Sequence, residues 1–128
     1  MIDHVSVGVS DLERGTKFYE TVLAPLGLTK LVERPTTIGF GKTYPEFWIN
    51  LRAGMKPVPL ECGTHICLRA PTTAAIEAFH AAALKAGGQS NGAPGPRLEY
   101  HPSYYATFII DLDGNRIEAV TFLKDKAG

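Results

Sequence analysis

Cysteine is scarce. The 128 residues hold two, Cys62 and Cys67, and they do not form a C-x-x-C pair. A disulfide-stapled secreted scaffold is not expected, and a reducing cytoplasm is the simpler compartment. Charge of one sign is lacking too. Thirteen basic residues meet thirteen acidic ones, for a formal net charge of zero, with no long run of either sign. Nucleic-acid binding would need a basic patch, so no such partner is expected. No apolar run approaches the about 18 residues of a membrane span. The opening MIDHVSV lacks the basic-then-apolar order of a secretory signal. Neither a membrane nor an export role is expected. What remains is an ordinary globular balance of 45% apolar and 20% charged residues, in a length that suits one domain over residues 1–128.

A weak internal repeat organises that domain. With an offset of 61 residues, DHVSVGV falls on THICLRA, so that His4 meets His65, Val5 meets Ile66, Ser6 meets Cys67 and Val7 meets Leu68. Further along, Phe18 meets Phe79, Leu23 meets Leu84 and Gly27 meets Gly88. The first repeat covers about 1–53 and the second about 64–123.

Each repeat opens with a strand, over 2–9 or 64–70, marked by alternating polar and apolar residues. A helix follows each. Ser10 and Glu13 form an S-x-x-E capping box ahead of Leu12, Tyr19, Val22, Leu23 and Leu26. In the second repeat Thr72 or Thr73 caps, and Ile76, Phe79 and Ala83 form the apolar stripe. Gly27 and Gly88 end the helices. Strands are predicted over 29–34, 36–41 and 46–52, then near 97–101 and over 104–111 and 115–122. Asp113-Gly114 signals the hairpin between the last two. Residues 87–96, rich in Gly and Pro, read as a loop, 53–63 as a linker and 124–128 as a tail.

Strand parity separates the chemistry from the core. His4, Ser6 and Gly8 point away from Val5, Val7 and Val9, as His65, Cys67 and Arg69 point away from Ile66 and Leu68. Sheets that pack their apolar faces under the helices leave polar faces around a cleft, the default ligand site. On the last strand Glu118 lies on the cleft side, and the repeat matches Ile49 with Ile117 and Asn50 with Glu118. Four symmetric positions result: His4, Asn50, His65 and Glu118. Two imidazoles and one carboxylate make a facial set for a divalent metal, with Asn50 adding a carbonyl ligand or a hydrogen bond. The competing reading is a metal-free cleft in which all three hydrogen-bond.

Two motifs carry a family resemblance. DHVSVGVSDLERGTKFYETVLAPLGL resembles the first strand and helix of the vicinal-oxygen-chelate superfamily, which contains glyoxalases, bleomycin-resistance proteins and extradiol dioxygenases. DLDGNRIEAV resembles its closing hairpin. The resemblance spans about residues 2–122. It implies an α+β fold of two βαβββ modules whose curled mixed sheets enclose a cleft, and a homodimer that covers strand edges. It implies metal ligands at His4, His65 and Glu118, for a divalent ion such as Mn, Fe, Ni or Zn. Bacterial glyoxalase I enzymes carry a glutamate at the fourth position, where this chain has Asn50, which argues against an ordinary lactoylglutathione lyase.

Other residues compete for roles. Arg97, His101 and Tyr104 lie in a nine-residue segment rich in Tyr. They could meet a substrate anion, with His101 or Tyr104 as acid or base; the alternative is a surface loop whose rings cover the rim. Trp48 could wall the cleft or belong to the core. Arg52 and Arg69 could attract an acidic ligand or only solvate strand ends. Cys67 could be a nucleophile, though a buried structural cysteine is the better reading. His80, on the second helix, reads as partly exposed. The expected function is a metal-dependent enzyme that polarises vicinal oxygens of a small molecule. The alternative is a metal-free binding protein of the bleomycin-resistance type.

Overall fold

The computed structural model describes residues 1–124; the expected tail lies, from residue 125 on, outside the described residues. The first half runs β1 (Val5–Val9), α1 (Leu12–Leu23), β2 (Thr29–Glu33), β3 (Thr37–Gly41) and β4 (Pro45–Leu51). The second runs β5 (His65–Arg69), α2 (Thr73–Lys85), β6 (Gln89–Pro96), β7 (Tyr104–Ile110) and β8 (Arg116–Phe122). Each half forms one four-stranded mixed sheet, in the orders β1-β4-β3-β2 and β5-β8-β7-β6. In both, the first and last strands run parallel, because the helix carries the chain across the sheet between them. The fold is therefore α+β, with two βαβββ modules.

One apolar core joins the halves. Phe18, Tyr19, Val22 and Leu23 recur at helical spacing on α1 and pack with Phe40, Phe47 and Ile49 of the first sheet. Ile76, Phe79 and Ala83 do the same on α2 against Ile109 and Ile117. Phe18 and Phe79, counterparts in the repeat, are both buried. Removing side chains of this size from water stabilises the fold by about 1.5–3 kcal/mol each. Leu23 and Leu84 break the symmetry, since Leu23 is buried and Leu84 is exposed.

Several local expectations need correction. Asp11, not Ser10, caps α1: its backbone is extended and its Oδ1 accepts from the Arg14 N–H at 2.9 Å. Ser10 instead donates to Asp113 Oδ1 at 2.6 Å, tying the start of α1 to the far hairpin. Thr72 caps α2, as one of the two expected threonines. Gly27 takes the left-handed conformation after the first helix, but in the second the left-handed residue is Gly87. Gly88 is needed for space, because a Cβ there would crowd Ile110 O, Ala83 O and the Phe18 ring. The expected loop at 87–96 is the strand β6, and the strand expected near 97–101 is a turn in which Tyr100 N–H donates to Arg97 O. An edge strand tolerates Pro94 and Pro96, and two register shifts absorb the glycines.

Candidate functional site

β5, β7 and β8 build the centre of the second module. Parity puts His65, Cys67 and Arg69 on one face of β5, and the register sets Cys67 opposite Glu118 of β8. Glu118 is 3% exposed, an unusual place for a carboxylate. It is held by two donors. Tyr104 Oη donates to Oε2 at 2.5 Å, and His65 Nε2 lies 3.0 Å from Oε1. Desolvation, then the bond to Glu118, raise the Tyr104 hydroxyl above its ordinary range, so it keeps its proton. Desolvation, then the Glu118 charge, push the Cys67 thiol up to about 12. The residue is exposed rather than buried, yet at neutral pH it presents a thiol and not a nucleophilic thiolate.

The first module presents a different face. His4 precedes β1 rather than standing on it, and its Nδ1 lies 2.7 Å from Asp3 Oδ1. Asn50 is fixed by Thr37, whose Oγ1 donates to Asn50 Oδ1 at 2.5 Å. The register changes the expected equivalence. Ser6 pairs with Trp48 and Cys67 pairs with Glu118, so Trp48, not Asn50, is the counterpart of Glu118; Asn50 stands two residues further along the same face.

The expected convergence of His4, His65 and Glu118 is not formed in the chain. Glu118 meets His65, while His4 meets Asp3. Among the described residues no group of three or more His, Cys, Asp or Glu side chains is placed to hold a metal ion. His4 and His65 do line one cavity of about 340 Å³, together with Glu46 and Cys67.

The remaining candidates separate by their partners. Arg97 donates to the carbonyls of Ala93, Gly95 and Pro96 and stacks over Phe108, so it braces its own segment. His101 is exposed, accepts the Ser103 N–H at its Nδ1 and packs edge-on against Phe122, with no bond to Glu118. Arg69 stacks over the same Phe122 ring, and Arg52 donates to Leu51 O. His80, half-buried, meets Ser90 Oγ at 2.8 Å, and desolvation lowers its pKa.

Two groupings escaped the sequence reading. Tyr19, Asp111, Asn115 and the Gly8 carbonyl form a buried chain between the modules, with Tyr19 Oη donating to Asp111 Oδ2 at 2.5 Å and Asn115 Nδ2 donating to Gly8 O at 2.9 Å. Arg34 stacks over Trp48, beside Thr37. The D-x-D-G-N stretch announced a hairpin, and nothing in it announced a contact with a residue about a hundred positions earlier.

Paired βαβββ sheets with a polar site on the strand face away from the helices define a glyoxalase-like protein. The chain belongs to the Glyoxalase/Bleomycin resistance protein/Dioxygenase superfamily, whose family model matches residues 1–119. Among solved structures, it is similar to a glyoxalase/bleomycin resistance protein from Albidiferax ferrireducens T118. The two share 31% identity with a TM-score of 0.81, over 92% of this chain and 96% of that one. It shares the fold of a glyoxalase/bleomycin resistance protein/dioxygenase family enzyme from Burkholderia phytofirmans PsJN, at 17% identity and TM-score 0.69, over 95% and 98% of the chains. It also shares the fold of an E144Q glyoxalase I mutant from Zea mays, at 21% identity and TM-score 0.72, covering 91% of this chain and 45% of that longer one. No curated protein matches the chain.

Proposed function

We propose that this protein is a glyoxalase-like, metal-dependent enzyme acting on a small molecule, with His65, Glu118 and His4 as the metal ligands. The observation that carries this is the buried Glu118 carboxylate paired with His65 at 3.0 Å. Two ligand atoms at about 2.1 Å from one divalent ion, at right angles, stand about 3 Å apart, so the pair fits as adjacent ligands. His4 fits as the third. Its Nδ1 is engaged by Asp3, the kind of carboxylate contact that orients a ligating imidazole and leaves Nε2 free. It lies ahead of β1, outside the strand ladder, and lines one cavity with His65.

A divalent ion there would supply Lewis-acid polarisation of substrate oxygens. The chain's own groups do the rest. Glu118 holds the only carboxylate charge among the three ligands. Tyr104, with its proton retained, donates to Glu118 and fixes its orientation. Arg69 on the rim favours an anionic substrate or intermediate. We place the protein in the cytoplasm, where its two free cysteines stay reduced, and as a homodimer, because the outer strands β2 and β6 leave unpaired edges.

The test is calorimetric titration of Mn, Ni and Zn ions into chelator-treated protein. One site per chain with affinity that falls at least about tenfold in Glu118→Gln, a loss of about 1.4 kcal/mol, supports the reading. No binding of any of the ions sinks it. The second reading, a metal-free binding protein of the bleomycin-resistance type, draws on His4 standing apart from the pair, and a silent titration would favour it. Light scattering at micromolar concentration should give the mass of a dimer.

A further inference from the structure

The two modules have the same backbone plan and opposite donor character. In the second module the central side chain is a buried carboxylate. In the first, its counterpart is an indole, and a shallow cavity of about 210 Å³ is lined by His4, Ser6, Arg34, Thr37, Trp48 and Asn50. Among the described residues no carboxylate lines it. Thr37 Oγ1 donates to Asn50 Oδ1, which leaves the Asn50 amide N–H groups as its free donors. The Arg34 guanidinium lies 5.5 Å from the centre of the Trp48 ring and has no carboxylate partner among the described residues. Asp3 is engaged by His4, and Glu33, next to Arg34, is engaged by Lys30. Glu46 shares the strand face but lines the neighbouring cavity.

The indole is held in place. Gly39 pairs with Trp48 across the β3–β4 ladder, and a Cβ on Gly39 would stand 2.9 Å from Trp48 Cζ3 and 2.9 Å from Pro45 Cβ. Trp48 therefore packs on bare backbone. Arg34 is positioned by the turn between β2 and β3, where its N–H donates to Thr37 O at 3.0 Å. A flat ring packed on the Gly39 backbone, a guanidinium stacked on that ring and an amide held by the Thr37 hydroxyl are arranged for a planar anion.

We infer that this cavity is a carboxylate-binding subsite, taking a small planar or aromatic acid with its carboxylate on Arg34 and Asn50 and its plane beside Trp48. It deepens the proposed function by naming the substrate class, and as an account of the substrate it rests on that reading; the binding itself does not require the metal. Trp48 is the sole tryptophan of the chain, so its fluorescence reports this cavity directly.

The experiment is a fluorescence titration of the full chain with benzoate, and with benzamide as the uncharged analogue of the same shape. Saturable change with benzoate is expected, about tenfold or more weaker with benzamide. Arg34→Gln should raise the benzoate Kd about tenfold and Arg34→Lys by less, because the ammonium keeps charge but loses the planar fork. Circular dichroism checks that the variants fold; Arg34 is exposed, so they should. Equal response to benzamide, or a benzoate Kd unchanged in Arg34→Gln, would overturn the inference. A protein that binds benzoate through Arg34 but no metal retains this subsite and loses the proposed enzyme. One that binds metal but not benzoate does the reverse.

Discussion

Tyr19 and Asp111 form the most buried polar pair between the modules. Desolvation raises the pKa of Asp111, and donors from Tyr19, Asn115 and two backbone N–H groups pull partly against it. A carboxyl whose folded pKa lies above its unfolded value contributes most to stability with its proton on, and that contribution is lost as pH rises through the folded pKa. Tyr19→Phe removes one donor and raises the Asp111 pKa further. The variant should lose about 1.5–3 kcal/mol at neutral pH, as for a hydrogen bond to a charged group, and less near pH 4. Urea unfolding at both pH values measures this, and an equal loss at both would mean that Asp111 is not the group Tyr19 serves. Tyr104→Phe is the parallel change at the site. It frees one Glu118 oxygen, so Zn affinity should change while the fold persists, as titration and circular dichroism would read.

Among the elements, the β3–β4 hairpin is the most tightly specified. A Cβ on Gly41 would overlap the Tyr44 carbonyl oxygen and stand 3.1 Å from Pro45 Cα, both backbone atoms that have little room to move. Gly41→Ala should therefore destabilise the protein by about 3 kcal/mol, the upper part of the range for overpacking, as a shift in the denaturation midpoint. A change below about 0.5 kcal/mol would show that the hairpin relaxes freely. On the other side of β4, the parallel ladder with β1 puts Trp48, and not Asn50, opposite Ser6. Alternation in the sequence told which side each residue faces, and that part is observed for both Trp48 and Asn50. It carried no information on register, since a two-residue slip preserves parity. β6 was illegible for another reason. Its Gly and Pro content denies the usual strand signal, and only pairing with β7 makes it a strand.

At the scale of the molecule, both helices share one core, so the modules should unfold together. Phe79→Ala should cost about 3–5 kcal/mol and lower a single thermal transition. Two separated transitions would mean that the halves are energetically independent. The repeat, the helices, most strands and the polar face were legible from the sequence, because periodicity and turn residues act over a few neighbouring positions. His65 and Glu118 could be named as partners by parity and repeat, although 53 residues separate them. Three further matters were decided by tertiary structure. Glu118 is buried and held by Tyr104 and His65, His4 meets Asp3 rather than the pair, and Arg34 reaches Trp48 because a turn folds it back. Each depends on where a side chain lands after distant segments pack, and local sequence pattern does not encode that.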